Sequence, residues 1–306
     1  MANQTISKEF YLYAFFSNGE NQPPLSIVFL FIYLVGVTEN LFILTVIYND
    51  VQLHTPMYFF LCNLAFVDIS LPTTILPKLI DILFSGNNLI TFIQCFTQMY
   101  FFVVLAGIEV IVLSSMAYDR YVAICKPLSY HLIMNRRVCV LLIIWTWISG
   151  FVNSSLFTNL ASKMPFCQTN KINHVFCDVK ALAEISCDVT KISIFIYVEN
   201  VLFALIPFSL NLISYINIIH SILQIKSQHG RKKTFSTCSS HLTVLMLFYG
   251  AIVWMYMSPP SKSNILEPVL SMLYTVVTPM LNPLIYSLRN KEVKTAVKRI
   301  MKRIIS

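Results

Sequence analysis

Seven long apolar runs divide this chain, and they limit its fold more than any other feature does. A helix needs about 20 mostly apolar residues to cross the hydrocarbon core of a bilayer. Such runs cover residues 25–48, 57–80, 97–121, 139–160, 192–222, 238–258 and 266–288, and the fourth run holds no charged residue. The pattern predicts an all-α membrane protein, built as a bundle of seven transmembrane helices.

The composition agrees with that interpretation. Of the 306 residues, 56% are apolar and only 12% are charged, whereas about 25% of the residues in a soluble domain are charged. The chain has no Pro/Gly/Ser-rich linker, repeat or low-complexity block that would separate two domains. We therefore predict a single domain over residues 1–306.

The basic residues predict the orientation of the bundle, because lysine and arginine accumulate in cytoplasmic loops. If the N-terminus is outside, 15 of the 22 basic residues fall on the inner side. We predict an extracellular segment (1–24), a transmembrane bundle (25–288) and a cytoplasmic tail (289–306) in a multi-pass protein of the plasma membrane. Asn3, in Asn-Gln-Thr, is then an accessible glycosylation site, whereas the similar sequence at Asn153 lies inside the fourth run.

The segment after Arg289 is short and amphipathic. Apolar residues recur there at helical spacing among lysines and arginines: Val293, Val297, Ile300 and Ile304. The spacing predicts a short helix that lies on the anionic lipids of the inner leaflet. Near the other terminus, residues 10–16 are apolar but far too short to span the bilayer, and we predict no cleavable signal peptide.

Three other classes of function fit the sequence less well. The net charge of +8 and the basic residues 231–233 are compatible with nucleic-acid binding, but membrane topology explains them better, so we predict no nucleic-acid partner. A transporter would carry an internal repeat and paired broken helices, and the sequence shows neither. His220 and His241 have no nucleophile or metal-ligand set beside them, so we predict that the chain is not an enzyme.

Four strings of residues are specific enough to indicate a family. They are LHTPMYFFL at 53–61, MAYDRYVAICKPL at 116–128, KTFSTCSSHL at 233–242 and PMLNPLIYSLRN at 279–290. Together they resemble the olfactory (odorant) receptors, within the rhodopsin-like G-protein-coupled receptors, over nearly the whole chain. The resemblance implies a receptor that binds a small-molecule odorant and activates a stimulatory-type heterotrimeric G protein, which raises cyclic AMP.

The resemblance also implies a set of residues that acts as the G-protein switch: Asp119, Arg120, Tyr121, Tyr215, Asn282, Pro283 and Tyr286. An arginine near the bilayer needs a partner or a water path. We predict that Arg120 pairs with Asp119 at rest and meets the partner protein when released; a snorkelling arginine is the alternative. Pro283 removes a helical hydrogen bond and kinks the helix, which allows Asn282 to bond to freed carbonyls or water; a static kink is the alternative.

Four acids lie deep within the apolar runs: Glu39, Asp68, Glu109 and Glu199. A buried acid in a membrane costs free energy and is a candidate functional site. Asp68 and Glu109 match mid-membrane positions of the family and would suit a hydrated Na⁺ or a shared proton, with three polar neighbours: Asn40, Ser114 and Asn282. The alternative is that one or both carboxyl groups are simply protonated and hydrogen-bonded. We predict no other metal and no cofactor.

Four of the eight cysteines fall on the predicted outer face, where the compartment is oxidising. The residues alone allow three pairings of these four cysteines. The resemblance implies a bridge between Cys95 and Cys177, which leaves Cys167 and Cys187 as the second pair.

The resemblance places the ligand pocket between the outer halves of helices three, five, six and seven. Helical spacing selects mostly apolar residues, which suit a small, sparingly soluble molecule: Phe102, Val103, Ala106, Gly107, Asn200, Phe203, Tyr249, Ile252, Val253, Tyr256 and Thr275. Helix packing is the alternative role for each of them. Glu199 is a further candidate. If it faces the pocket, it favours amines over carboxylic acids; if it faces a neighbouring helix, it bonds to a polar group such as Asn153 and does not select ligands.

Overall fold

Five helices are long and apolar enough to cross a membrane in the part of the chain that the structure describes. The computed structural model describes residues 9–13, 22–167, 169–257, 271–289 and 291–305. The five helices are α1 (Pro23–Asn49), α2 (Pro56–Ser85), α3 (Phe92–Cys125), α4 (Arg136–Ala161) and α5 (Thr190–Leu223). Each contains or closely matches one of the first five predicted runs.

Two further helices continue the bundle. Helix α6 (Gln228–Met257) is apolar over Cys238–Gly250, and α7 consists of a π-helical segment, Leu273–Val277, followed by the α-helix Thr278–Arg289. The predicted helical bundle is therefore confirmed. The end of the sixth run at residue 258 and the beginning of the seventh at 266–270 lie outside the described residues.

Local sequence explains where several helices begin and end. Pro56 lies in the first turn of α2. Backbone N–H groups in the first turn have no acceptor within the helix, so proline, which lacks an N–H group, costs no helical hydrogen bond there. At the start of α3, the Gln94 N–H donates to Thr91 Oγ1 at 3.3 Å and the Thr91 N–H donates to Gln94 Oε1 at 3.1 Å, which pairs two backbone donors that the helix itself cannot satisfy. Gly86 follows α2 in the left-handed conformation, with φ of 72°, which glycine adopts without steric cost.

Helices α3 and α6 extend furthest beyond their apolar runs. Helix α3 covers Phe92–Cys125 instead of 97–121, and α6 begins at Gln228 instead of residue 238. Helical hydrogen bonds continue beyond the apolar runs, because the backbone pairs with itself regardless of hydropathy. An apolar run therefore predicts that a helix is present better than it predicts where the helix ends.

A small three-stranded sheet at one end of the bundle was not predicted. Strand β1 (Glu9–Leu12) lies between β2 (Leu89–Thr91), which runs antiparallel to it, and β3 (Lys171–Ile172), which runs parallel. Phe10 and Leu12 are fully buried on the inner face of β1. The segment 10–16, predicted only as too short to span, thus contributes a strand that packs onto the ends of the helices.

The predicted amphipathic helix at the end of the chain is present as α8 (Lys291–Ile305). Val293 and Ala296 are buried, and Val297 and Ile300 pack against the same large hydrophobic cluster that joins α1, α2 and α3. Much of the apolar face of α8 is therefore covered by the bundle. The side chain of Ile304 lies outside the described residues.

Candidate functional site

Arg120 and Asp119 form an ion pair near the C-terminal end of α3. Nη2 and Nε of Arg120 donate to Asp119 Oδ2 at 2.6 and 3.1 Å, and the Tyr130 hydroxyl donates to Asp119 Oδ1 at 2.8 Å. The Asp119 side chain is fully buried, whereas 16% of the Arg120 side chain is exposed. A buried carboxylate that accepts bonds on both oxygens holds a guanidinium group firmly. Tyr130 lies in the one-turn helix Tyr130–Ile133, and nothing in the sequence predicted that it would bond to Asp119.

Tyr121, the next residue of the predicted switch, lies beside this pair and has different contacts. Its half-buried ring packs against the main hydrophobic cluster, and the Lys126 Nζ atom lies 5.8 Å from the ring centroid. This contact lies within the range of a cation–π interaction.

A second polar link joins α5 to α6. The Tyr215 hydroxyl lies 2.8 Å from His241 Nδ1, and both side chains are buried. The sequence gives His241 no partner for enzyme chemistry and does not predict this contact. The structure places His241 against Tyr215, one of the predicted switch residues.

The break at Pro283 in α7 is bridged from two neighbouring helices. Pro283 has no N–H group to donate to the carbonyl of Pro279, four residues earlier. Asn40 of α1 donates its Nδ2 to that carbonyl at 3.4 Å. Asn282 was predicted to bond to freed carbonyls or water, but its Nδ2 donates to both carboxylate oxygens of Asp68 in α2, at 3.1 and 3.0 Å.

The two acids predicted to lie at mid-membrane have surroundings that differ from those predicted. Asp68 of α2 and Glu109 of α3 are both buried. Both Glu109 oxygens are buried without a hydrogen-bond partner among the described residues. Ser114, predicted to join this group, accepts a hydrogen bond from Asn211 of α5 at 3.2 Å instead. The unpartnered Glu109 carboxyl group has the chemistry to bind a hard cation or to share a proton, whereas both oxygens of Asp68 already accept from Asn282.

The predicted ligand residues of α3 contact α5 and the loop that precedes it. The Phe102 ring lies 4.7 Å from the Phe176 ring, measured between centroids. A Cβ atom placed on Gly107 would lie 3.6 Å from two carbons of the Phe203 ring, so these two predicted residues are in contact. Val103 packs against a cluster at the sheet end of the bundle, and Ala106 is half-buried.

The predicted ligand residues of the other helices are only partly described. Asn200 and Phe203 lie in a π-helical turn of α5, Asn200–Leu205, and the Tyr249 hydroxyl accepts from Asn211 Nδ2 at 2.9 Å. Thr275 is buried and donates to the Ser271 carbonyl at 2.7 Å. The remaining members have side chains outside the described part of the structure, as does one switch residue: Ile252, Val253, Tyr256 and Tyr286.

Glu199 contacts the neighbouring helix α4. Its Oε1 accepts a hydrogen bond from Asn153 Nδ2 at 3.0 Å. Two orientations were predicted for Glu199, and the structure shows the one in which it faces a neighbouring helix and bonds to the side-chain amide of Asn153. This bond also gives the side chain of Asn153 a partner inside the bundle.

The loop between α4 and α5 is tied to the bundle at three points. The disulfide Cys95–Cys177 joins the loop to α3, whereas the disulfide Cys167–Cys187 lies within the loop itself. The Cys177 N–H donates to Gln98 Oε1 at 2.9 Å, a buried bond that the sequence analysis did not predict. His174, also in the loop, lies between the Phe176 carbonyl and Ser271 Oγ at the start of the described part of α7, 3.1 Å from each.

Comparisons with known proteins agree on one family. The family model described as "Olfactory receptor" matches residues 29–303. Olfactory receptor 5B21 of Mus musculus is 45% identical and covers 99% of this chain and 96% of its own length. The olfactory receptor-like protein OLF3 of Canis lupus familiaris is 44% identical, covering 98% and 95%. Squid rhodopsin is similar in fold, with a TM-score of 0.71 at 18% identity over 90% of this chain and 79% of the squid chain.

Proposed function

The chain belongs to the olfactory receptor family, and we propose that it is an odorant receptor that activates a stimulatory-type heterotrimeric G protein and so raises cyclic AMP. It is an integral membrane receptor of the rhodopsin-like class, and receptors of this class are signalling proteins, not enzymes. The observation that carries the proposal is the ion pair of Arg120 with buried Asp119. It holds a partly exposed guanidinium at a helix end, where release would present five hydrogen-bond donors to a partner protein.

In this proposal the structure corresponds to the resting receptor. Tyr130 and Arg120 occupy both oxygens of Asp119, and the Tyr215–His241 contact holds α5 against α6. An odorant that binds more tightly to a conformation with these contacts broken shifts the population towards it. The G protein then binds the released end of the bundle.

The proposed ligand is a small, mostly apolar molecule. Gly107 and Phe203 offer apolar surface between α3 and α5, Phe102 offers it beside Phe176 of the loop, and the Tyr249 hydroxyl supplies a polar group. Pockets of this kind take up molecules mainly by burying apolar surface, while a few polar groups fix their orientation.

We also propose a Na⁺ ion or a shared proton at Asp68 and Glu109. When present, it supplies positive charge that offsets the repulsion between the two carboxylates. If Na⁺ is the occupant, replacing it with choline should change agonist potency in the wild type but not in Glu109→Gln. If the replacement changes agonist potency in neither protein, a proton is the occupant, and agonist potency should then depend on pH in the wild type only. Identical behaviour of wild type and variant in both series would contradict the proposed site.

A cyclic AMP assay tests the main proposal. Transfected cells should respond to at least one member of a chemically diverse odorant panel, and Arg120→Ala should lose the response at an equal surface level. Cells that lack the stimulatory Gα subunit should not respond until it is restored. A full response of Arg120→Ala would exclude Arg120 from the mechanism, and a response without stimulatory Gα would exclude that G protein.

We propose that the receptor lies in the plasma membrane with its N-terminus outside, its bundle at 25–288 and its tail at 289–306 inside. Asn3 lies outside the described residues, and its glycosylation is part of this proposal. Enzymatic deglycosylation should increase the gel mobility of the wild type but should not change the gel mobility of Asn3→Gln. Antibody staining of a tag after Ser306 on intact cells would contradict the orientation.

A further inference from the structure

A groove with a volume of about 1030 Å³ lies between α1, α2 and α4, near the end of the bundle that carries Arg120. Its lining residues include Phe59 and Cys62 of α2, Leu44 of α1 and Val140 of α4, and we call these four its floor and walls. The volume is at the upper limit of the range of about 300–1,000 Å³ for sites that enclose small organic molecules. The groove is therefore large enough for a long hydrocarbon chain.

The floor and walls of the groove are apolar and accessible from outside the bundle. Phe59 and Val140 are each 38% exposed, and Tyr48, at the end of α1, is 82% exposed. In a membrane-spanning protein such a surface faces lipid tails rather than water. The chemistry of the floor and walls thus suits an acyl chain.

The rim at the end of the helices has a different character. Arg136, the first residue of α4, lines it together with His54 and His131, and all three are exposed. The residues that line the groove include no aspartate and no glutamate. The rim therefore offers a fixed positive charge and two imidazole rings, which complement a phosphate group.

We propose that this groove binds an anionic phospholipid, with an acyl chain on Phe59 and Val140 and the phosphate at Arg136. In the orientation proposed above, the rim lies at the inner leaflet, where anionic lipids are concentrated. Tyr130 lines the same groove while its hydroxyl donates to Asp119. The bound lipid therefore contacts the residue that supports the Arg120 ion pair.

The test uses the full-length receptor in phosphatidylcholine nanodiscs with a trace of photoactivatable lipid. The probe is phosphatidylserine, or in a parallel sample phosphatidylcholine, with a diazirine on one acyl chain. We expect phosphatidylserine to label the peptides that contain Phe59 and Val140 several-fold more strongly. Because both faces of a nanodisc hold the same lipids, an error in the proposed orientation or G-protein coupling would not affect the result.

Two variants distinguish a built site from general surface attraction. Arg136→Gln should reduce labelling by phosphatidylserine to the level of phosphatidylcholine, whereas Arg137→Gln should not, because Arg137 is also exposed but does not line the groove. Val140→Trp fills the groove without a change of charge and should reduce labelling by both probes. Equal labelling by the two probes, equal effects of the two arginine variants, or full labelling of Val140→Trp would each overturn the proposal.

Discussion

Arg299 of α8 lies 2.6 Å from Asp50, which follows α1, and the contact joins segments 249 residues apart. Both Nη2 and Nε of Arg299 donate to Asp50 Oδ2, the second at 2.9 Å. The Asp50 side chain is only 4% exposed, and that of Arg299 is 31% exposed. A second link, from the Tyr58 hydroxyl to Glu292 at 2.6 Å, attaches the start of α8 to α2. The amphipathic helix is thus docked on the bundle by polar contacts as well as by Val293.

Breaking this ion pair should destabilise the receptor. We expect Asp50→Asn to lower the stability by on the order of 1 kcal/mol, because charge-assisted hydrogen bonds are the stronger ones but solvent screens the partly exposed Arg299. Thermal unfolding of the purified receptor measures the loss. Lys298→Gln, which removes the neighbouring, exposed charge of α8, is the control and should have little effect. An equal loss in Lys298→Gln would mean that the loss in Asp50→Asn does not arise from its pair with Arg299.

The same pair predicts a dependence on pH. Burial raises the pKa of the Asp50 carboxyl, but hydrogen bonds from Arg299 and from the Gln52 N–H, with the charges of Arg299 and Arg303, bring it below its ordinary value. The stabilisation is therefore complete above the ordinary pKa of about 3.9 and is lost as the pH falls through the folded-state pKa. Wild type and Asp50→Asn should differ in stability at neutral pH and converge only below about pH 4.

Loss of the Cys95–Cys177 disulfide should abolish surface expression. The bridge closes a separation of 82 residues, and a loop of that order constrains the unfolded chain by about 4 kcal/mol. Cys95→Ser, Cys177→Ser and the double variant should be equally impaired, because each removes the same bond. Cys62→Ser removes a half-buried free thiol and should be mild in surface staining. An equally severe loss from Cys62→Ser would indicate that packing, not bridging, explains the cysteine variants.

The helical part of the fold could be predicted because lipid imposes one simple condition on each spanning segment. Backbone groups in the hydrocarbon core must pair within their own helix, so length and hydropathy identify the spans. Strand β1 had no such signal. It has only four residues, and its partners at Leu89–Thr91 and Lys171–Ile172 come from distant parts of the chain. A strand this short forms only where the bundle brings the three segments together.

In the candidate site, too, contacts between residues close in the chain could be predicted from the sequence, and contacts between distant helices could not. Arg120 and Asp119 are adjacent in the chain. A charged side chain near the bilayer needs a partner, and this requirement was sufficient to suggest the pair. The contact of Tyr215 with His241 depends on the rotation of α5 and α6 about their axes, which the sequence does not specify. Ser114 shows the same limit, because it faces Asn211 of α5 instead of the mid-membrane acids.

Tyr130→Phe should raise signalling in the absence of ligand. The Tyr130 hydroxyl donates to Asp119, and loss of a hydrogen bond to a charged group costs the resting state about 1.5 kcal/mol, which corresponds to about a tenfold shift in an equilibrium constant. Basal cyclic AMP at matched surface level is the measurement. Tyr118→Phe, on an exposed ring of the same region, is the control. Basal signalling that is unchanged in Tyr130→Phe would show that the Asp119 contact does not hold the resting state.

Glu199→Gln should leave the rank order of agonists unchanged. Glu199 Oε1 accepts from Asn153 Nδ2 at 3.0 Å, and a glutamine amide oxygen can accept the same bond. The carboxylate is thus engaged by α4, so that removing its charge should alter no ligand contact. Dose–response curves for neutral, basic and acidic odorants, at equal surface level, provide the measurement.

Two further variants separate a packing role of Glu199 from a role in ligand selection. Asn153→Ala and Glu199→Ala each leave a polar group without its partner inside the bundle, which costs about 1–3 kcal/mol. Both should lower surface expression more than Glu199→Gln does, since only Glu199→Gln preserves the bond between α4 and α5. A selective loss of potency for basic ligands in Glu199→Gln, at normal surface level, would instead place the carboxylate against the ligand. In that case the bond to Asn153 would orient Glu199 towards the pocket, and Asn153→Ala should reduce potency for the same basic ligands.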